Sequence, residues 1–141
     1  MKKFLFIIAL FIITTFDINA QNITNSQRKF WAPVIDAIEM VESKHNEKAV
    51  SSNGKWVGCL QISTVLVKEV NRIIGENKFK NSDRYSRQKS HDMFILYQEK
   101  YNPEHNIEKA VRLWNSGDLK CMQRKASTNG YYNKFKKYFY S

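Results

Sequence analysis

Residues 31–61 read WAPVIDAIEMVESKHNEKAVSSNGKWVGCLQ, and in this stretch a helical pattern ends and a turn-rich segment begins. From about Asn25 to Ser43, apolar residues recur at spacings of three and four, which predicts an amphipathic helix. Pro33 lies early in this pattern and predicts a helix start one turn later. Beyond the helix, Ser51-Ser52-Asn53-Gly54 and Gly58 punctuate the chain, which predicts a turn or a small hairpin.

Four more helical patterns follow, each delimited by capping residues or turns. Their predicted bounds are Ser63-Thr64 to Gly75, roughly Tyr85 to Tyr101, Asn106 to about Gly117, and Thr128 onward. The sequence therefore predicts a mainly α fold, with about five helices and one small irregular β-hairpin region.

The first twenty residues are typical of a secretory signal peptide. Met1-Lys2-Lys3 is positive, Phe4 to Ile13 is apolar but short for a membrane span, and Ala20 is a small residue before the cut. We therefore expect a signal peptide at 1–20 and one exported domain, periplasmic or extracellular, at 21–141. A retained membrane anchor is the alternative, but no polybasic stop-transfer segment follows.

The chain is strongly basic. Its 23 Lys and Arg residues face 13 Asp and Glu residues, a net charge of +10, and loss of Lys2, Lys3 and Asp17 with the signal peptide leaves +9. Such an export is expected to seek a polyanion, with a merely solvated surface as the alternative. Nucleic acid is not an expected partner, because no finger, RNP or helix-turn-helix signature is present. Anionic cell wall is favoured, and the basic residues of the last third could hold the protein there: Lys120, Arg124, Lys125, Lys134, Lys136 and Lys137.

The cysteines and histidines permit fewer conclusions. Cys59 and Cys121 could form one disulfide after export, or remain two buried thiols. The histidines, His45, His91 and His105, stand far apart without ligand spacing, so we expect no metal and no cofactor, and exposed loop or helix-end positions for all three.

One carboxylate falls on the apolar side of the first helix. At 100° per residue, Glu42 lies about 20° from Trp31 and Ile35 and about 40° from Ile38. An inward glutamate at a helix end is partly desolvated, which raises its pKa as a general acid requires. A frayed last turn that lets Glu42 reach water is the alternative.

The residues after Glu42 form a spaced signature. They read Glu42-Ser43-Lys44-His45-Asn46-Glu47-Lys48-Ala49-Val50-Ser51, and after Gly54 the chain continues with Gly58-Cys59-Leu60-Gln61-Ile62. This signature resembles that of the soluble lytic transglycosylases and goose-type lysozymes: Glu-Ser, spaced Asn, Ala and Ser, then Gly and Gly-x-x-Gln. Five spaced matches around a glutamate are more specific than a lone carboxylate.

A second block extends the resemblance. Leu113-Trp114-Asn115-Ser116-Gly117 resembles the later Ala-Tyr-Asn-Ala-Gly element of the family, and Tyr131 resembles the tyrosine of its terminal helix. The resemblance implies a lysozyme-like α+β fold in which the helices surround a catalytic cleft. Three departures stand out: one extra residue between Gly54 and Gly58, Trp114 in place of a tyrosine that helps to hold the catalytic glutamate, and Asp118 in place of a proline.

The resemblance also implies a reaction and its residues. It implies cleavage of the β-1,4 bond between N-acetylmuramic acid and N-acetylglucosamine, with Glu42 as proton donor and then base, and 1,6-anhydro products. Ser43 would lie beside the reacting sugar, Gln61 would hydrogen-bond an N-acetyl or hydroxyl group, Asn115 would line the cleft, and Tyr131 would bring a hydroxyl to the acid. Of the three tryptophans we expect only Trp56 to stack on sugar, because it lies outside a helix.

Other interpretations remain open at this stage. A hydrolytic lysozyme usually needs a second carboxylate, and the candidates are Glu47, Asp83 and Asp92, each expected on a solvated surface. Gln61 and Asn115 could serve only local hydrogen bonds, and Tyr131 only the core. A wall-binding protein without activity and a membrane-disrupting export are the alternatives from other classes. The expected partner is the peptidoglycan glycan strand, and a monomer is expected.

Overall fold

The structure, a computed structural model, describes residues 22–141 as five α-helices and a two-stranded antiparallel sheet. The helices are α1 (Asn25–Glu42), α2 (Thr64–Ile74), α3 (Arg87–Tyr101), α4 (Ile107–Ser116) and α5 (Asn129–Phe139), and the strands are β1 (Trp56–Val57) and β2 (Ile62–Ser63). The predicted mainly α fold with a small β region is confirmed. The predicted signal peptide at 1–20 lies outside the described residues.

Helix α1 begins at Asn25, so the prediction that Pro33 delays the helix start by one turn was wrong. A capping box determines the start: Gln27 N donates to the Thr24 hydroxyl oxygen (3.2 Å), and Thr24 N donates to Oε1 of Gln27 (2.8 Å). Pro33 therefore lies inside a helix that has already begun, and the fully buried Trp31 anchors the same turns in the core.

The predicted ends of α2 and α4 agree with the structure. Ser63 and Asn106 cap the two N-termini with their side chains, and Gly75 and Gly117 end the helices in the left-handed conformation. Helix α3 starts at Arg87 rather than near Tyr85, because a short 3-10 turn, Asn81–Tyr85, precedes it. The sequence pattern gave no signal for this turn.

The hairpin lies further along the chain than the sequence pattern indicated. Strand β1 pairs with β2, placing Trp56 opposite Ser63 and Val57 opposite Ile62, while Val50 forms only an isolated bridge to Val57. Gly58 turns the chain back with a φ of +82°. A Cβ there would lie 1.9 Å from the carbonyl oxygen of Arg84, so glycine lets the hairpin contact the 3-10 turn.

The core draws on every helix and on the hairpin, with buried side chains such as Trp31, Ile62, Val67, Phe94, Val111 and Phe135. Cys59 and Cys121 are both buried and both free thiols, which decides between the two interpretations of the cysteines. Between residues 22 and 141, no helix has the length and apolar character needed to cross a membrane.

Candidate active site

A cleft of about 680 Å³ lies between the hairpin, α2, α3 and α4, with the end of α1 at its wall. This size suits a ligand of several rings, since such sites usually measure roughly 300–1,000 Å³. Four of the six predicted site residues line the cleft: Glu42, Trp56, Gln61 and Asn115.

Glu42 is the last residue of α1 and lies half-buried in the cleft wall. Its Oε1 accepts a hydrogen bond of 2.6 Å from the hydroxyl of Tyr131. Burial raises the pKa of Glu42 above its ordinary value, and the Tyr131 hydrogen bond only partly opposes this effect. The carboxyl group is thus held in place and disposed to keep a proton, as a general acid must be.

Tyr131 reaches Glu42 from α5, outside the set of residues that line the cleft. Its ring packs against the core while its hydroxyl donates to Glu42, so the core position and the contact with Glu42 that the sequence suggested as alternatives occur together. Burial, followed by the neighbouring Glu42 charge, raises the pKa of Tyr131 well above 10, so the phenol stays a hydrogen-bond donor.

Trp114 occupies the position at which the resemblance led us to expect a tyrosine. Its ring packs against Phe94, with ring centroids 4.9 Å apart, and it also lines the cleft. The hydroxyl contact to Glu42, which the resemblance assigns partly to a tyrosine at this position, comes here from Tyr131. Trp114 thus lines the cleft together with Trp56, the one tryptophan that we expect to stack on sugar.

Gln61 and Asn115 lie on opposite elements of the cleft. Nε2 of Gln61 donates to the carbonyl oxygens of Gly58 (2.9 Å) and Ala49 (3.3 Å), which braces the hairpin turn. The side-chain carbonyl oxygen of Gln61 is then the atom that a sugar N–H or O–H group could meet. Asn115 is exposed near the end of α4.

Ser43 lies next to Glu42 but has a local role in this structure. Its hydroxyl donates to the carbonyl oxygen of Cys59 (2.7 Å) and accepts from the backbone N–H of Asn46 (3.1 Å). These bonds tie the end of α1 to the hairpin. Ser43 does not line the cleft, and its expected contact with the reacting sugar remains a prediction.

A second carboxylate in the cleft was missed by the sequence reasoning. Glu69, on α2, lines the cleft and accepts hydrogen bonds from Arg72 (2.7 and 2.9 Å) and from the hydroxyl of Tyr101. The Arg72 guanidinium, with help from Tyr101, lowers the pKa of Glu69 to about 2 despite some desolvation. Only the amphipathic pattern of α2 marked this region, and it does not distinguish a cleft residue from a surface residue.

The three carboxylates considered from the sequence lie elsewhere. Glu47 pairs with Arg87 (2.8 Å), Asp83 with Lys89 (2.7 Å), and Asp92 with Arg28 (2.5 Å). None of the three lines the cleft that contains Glu42.

All three histidines are half-buried rather than exposed as expected. His45 and His91 meet at Glu39, a residue 1% exposed on α1. Nδ1 of His45 lies 2.7 Å from Oε2 of Glu39, and Nε2 of His91 lies 2.6 Å from Oε1. His91 lies 52 positions from Glu39, so sequence spacing could not reveal that the two histidines share this carboxylate. His105 is a loop residue beside Glu99, 2.9 Å away.

The basic residues of the last third have mixed environments. Arg124 pairs with Asp118 (3.2 Å) and Lys125 with Glu108 (2.9 Å), and Lys136 lies over the ring of Tyr132. Lys120, Lys134 and Lys137 are exposed.

Comparison of the chain with protein-family models, with curated proteins and with solved structures gives no match. The functional argument therefore depends on the residues and geometry described above.

Proposed function

We propose that this protein is an exported peptidoglycan-cleaving enzyme, a lytic transglycosylase in which Glu42 is the general acid and base. The observation that carries the proposal is the state of Glu42, a carboxyl group with a raised pKa, held by Tyr131 in the wall of an open cleft. Raised carboxyl pKa values in clefts are characteristic of groups that donate protons at neutral pH.

The cleft also has the surface that a glycan requires. Three of its residues expose large apolar side chains: Trp56 (44% exposed), Val65 (73%) and Leu119 (59%). Sugar rings present C–H faces that pack against such surfaces, while Gln61 and Asn115 offer amide groups for N-acetyl and hydroxyl groups. This combination supports a glycan strand of alternating N-acetylated sugars as the substrate.

The reaction uses Glu42 twice. Its carboxyl proton passes to the oxygen of the scissile β-1,4 bond as that bond breaks and positive charge develops on the muramic acid ring. The resulting Glu42 carboxylate then takes the proton of that sugar's 6-hydroxyl, whose oxygen bonds to the anomeric carbon. The product is a 1,6-anhydro ring, and the carboxyl group is protonated again for the next cycle.

A hydrolytic lysozyme is the second candidate, and Glu69 is the observation in its favour. A hydrolase usually places a second carboxylate near the reacting sugar, and Glu69 lines the same cleft as Glu42. Its bonds to Arg72 and Tyr101, however, occupy the carboxylate that would activate water. The transglycosylase outcome, which needs one carboxylate, is therefore favoured.

Digestion of purified peptidoglycan followed by mass spectrometry of the products tests the proposal. Anhydro ends are expected from the wild type, whereas reducing ends would indicate a lysozyme. Products from neither reaction would leave a wall-binding or membrane-disrupting protein and would refute the proposal.

Glu42→Gln is the decisive variant, with Glu69→Gln as its matched control in the same cleft. Loss of the general acid should lower the rate by at least about 100-fold, while Glu69→Gln retains anhydro product formation. Glu42→Gln should also be more stable than the wild type near neutral pH. The pKa of Glu42 is higher in the folded than in the unfolded state, so the carboxyl group destabilises the fold once the pH exceeds the unfolded-state pKa of 4.5. Wild-type turnover by Glu42→Gln would refute the role of this residue.

A further inference from the structure

A second cluster of reactive side chains lies outside the residues that line the cleft. It joins Glu39 of α1, Cys59 of the hairpin turn and His91 of α3, whose oxygen, sulfur and nitrogen atoms lie within 4.8 Å of one another. Glu39 and Cys59 are each 1% exposed, and the side chain of His91 is 29% exposed. Three chain segments thus bring three potential metal ligands to one partly accessible point.

We propose that Glu39, Cys59 and His91 bind a divalent transition-metal ion of the zinc type. One thiolate, one imidazole and one carboxylate form a donor set of intermediate softness, which suits Zn²⁺ and its close relatives and disfavours Mg²⁺ or Ca²⁺. Three protein ligands leave a fourth tetrahedral position for water.

The ligand spacing is compatible with one ion. Around tetrahedral Zn²⁺ with bonds of about 2.0–2.3 Å, neighbouring ligand atoms lie roughly 3–4 Å apart. The three donor atoms already lie within 4.8 Å of one another, so side-chain displacements on the order of 1 Å bring them to these separations. The main change is at Glu39 Oε1 and His91 Nε2, now 2.6 Å apart, which must separate as the ion enters.

The other oxygen of Glu39 already has the supporting contacts that a ligating carboxylate needs. Oε2 of Glu39 accepts a hydrogen bond from Nη1 of Arg87 (2.7 Å) and lies 2.7 Å from Nδ1 of His45. Oε1 of Glu39 faces His91. Such outer contacts orient a carboxylate and leave its remaining oxygen directed at the metal.

The charges also balance when the ion is bound. The negative groups are Glu39, Glu47 and the Cys59 thiolate, and Arg87 contacts both Glu39 and Glu47. One guanidinium and one divalent cation carry three positive charges against these three negative ones. The bound ion therefore offsets the charges of buried Glu39 and the buried Cys59 thiolate, while Arg87 offsets the charge of the exposed Glu47.

Binding requires the loss of the Cys59 proton. Burial, and then the hydrogen bond and charge of Glu39, raise the pKa of the Cys59 thiol to about 12. The thiol proton passes to solvent as the metal–sulfur bond forms, with no change of oxidation state. His91 binds as neutral imidazole through Nε2, with its remaining proton on Nδ1.

Cobalt substitution tests this site without any measurement of enzyme activity, so its outcome is independent of the proposed function. Co²⁺ added to the reduced protein should produce a thiolate-to-cobalt charge-transfer band in the near ultraviolet, saturating at one ion per chain. Zn²⁺ should remove the band by displacement. No band in the folded wild type, as monitored by circular dichroism, would overturn the proposal.

Matched variants identify the ligands. Cys59→Ser should abolish the charge-transfer band, whereas Cys121→Ser, at the other buried thiol, should retain it. His91→Gln should weaken Zn²⁺ binding at least tenfold, and His105→Gln should leave it unchanged. Since His91 is partly exposed, its variant tests the site even if Cys59→Ser does not fold. A band lost equally in Cys121→Ser, or unchanged affinity in folded His91→Gln, would refute the assignment.

Discussion

The hydroxyl of Tyr131 donates a 2.6 Å hydrogen bond to Oε1 of Glu42, joining residues 89 positions apart in the sequence. The bond connects the last helix to the end of the first. It holds the carboxyl group in one orientation while burial keeps its pKa raised. Tyr131 is therefore a positioning residue for the proposed acid.

Tyr131→Phe should change the pH profile of peptidoglycan cleavage. Removal of the phenol hydroxyl removes the one contact that lowers the pKa of Glu42, so this pKa should rise and the basic limb of the profile should move to higher pH. Loss of one hydrogen bond to a charged group, about 1.5 kcal/mol, should lower the maximal rate roughly tenfold.

Initial rates of glycan release across a pH series measure both effects. Tyr132→Phe is the control, since Tyr132 is the adjacent half-buried tyrosine and contacts Arg112 rather than Glu42. An unshifted basic limb in Tyr131→Phe would show that the hydrogen bond does not tune the acid.

Glu39→Gln should be strongly destabilising. Burial alone would raise the pKa of Glu39, but hydrogen bonds from His91, His45 and Cys59 together hold it at about 2. The variant removes the buried carboxylate that accepts a hydrogen bond from Arg87 and lies against His45 and His91, and charge-assisted hydrogen bonds contribute about 1.5–3 kcal/mol each.

The pH dependence of this effect has a definite sign. Because the folded pKa of Glu39 lies below the unfolded value of 4.5, its stabilisation is present above pH 4.5 and is lost as the pH falls towards about 2. Urea unfolding over this range should therefore show the wild type and Glu39→Gln converging in acid. Glu47→Gln, at the exposed partner of Arg87, should cost much less, and equal costs would contradict the prediction.

Gly58→Ala should destabilise the hairpin more than Gly54→Ala. Both glycines have positive φ, 82° and 71°, so both variants pay a similar backbone cost. Only at Gly58 would the new Cβ meet the carbonyl oxygen of Arg84, whereas Gly54 has open space. The difference in unfolding free energy should be about 2 kcal/mol or more, measured by chemical denaturation. Equal losses would exclude the close approach as the reason for Gly58.

Trp56→Ala should weaken binding of soluble glycan fragments about tenfold with little change in fold stability, because aromatic contacts contribute about 1 kcal/mol or more beyond their buried area. The control is Tyr138→Ala on α5, since Tyr138 is 43% exposed and Trp56 is 44% exposed. Calorimetric titration with chitin oligosaccharides measures both variants. Equal affinity in Trp56→Ala and the wild type would remove Trp56 from the proposed binding surface.

Local sequence patterns predicted the helices well because their causes are local. The Ser63 and Asn106 caps and the left-handed glycines Gly75 and Gly117 act within one turn of their own helices. Where a prediction was wrong, another local contact prevailed: the capping box at Thr24 started α1 ahead of Pro33. The 3-10 turn before α3 had no comparable marker.

By itself, the sequence determined the helical class, the position of Glu42 on an apolar face and the resemblance that gave this glutamate a proposed role. Only the tertiary structure decided which distant groups come together: Tyr131 at Glu42, Glu69 in the same cleft, and His91 at Glu39. The physical reason is the range of the interactions. Periodicity and capping act between residues a few positions apart, whereas these contacts form only when packing brings distant helices together.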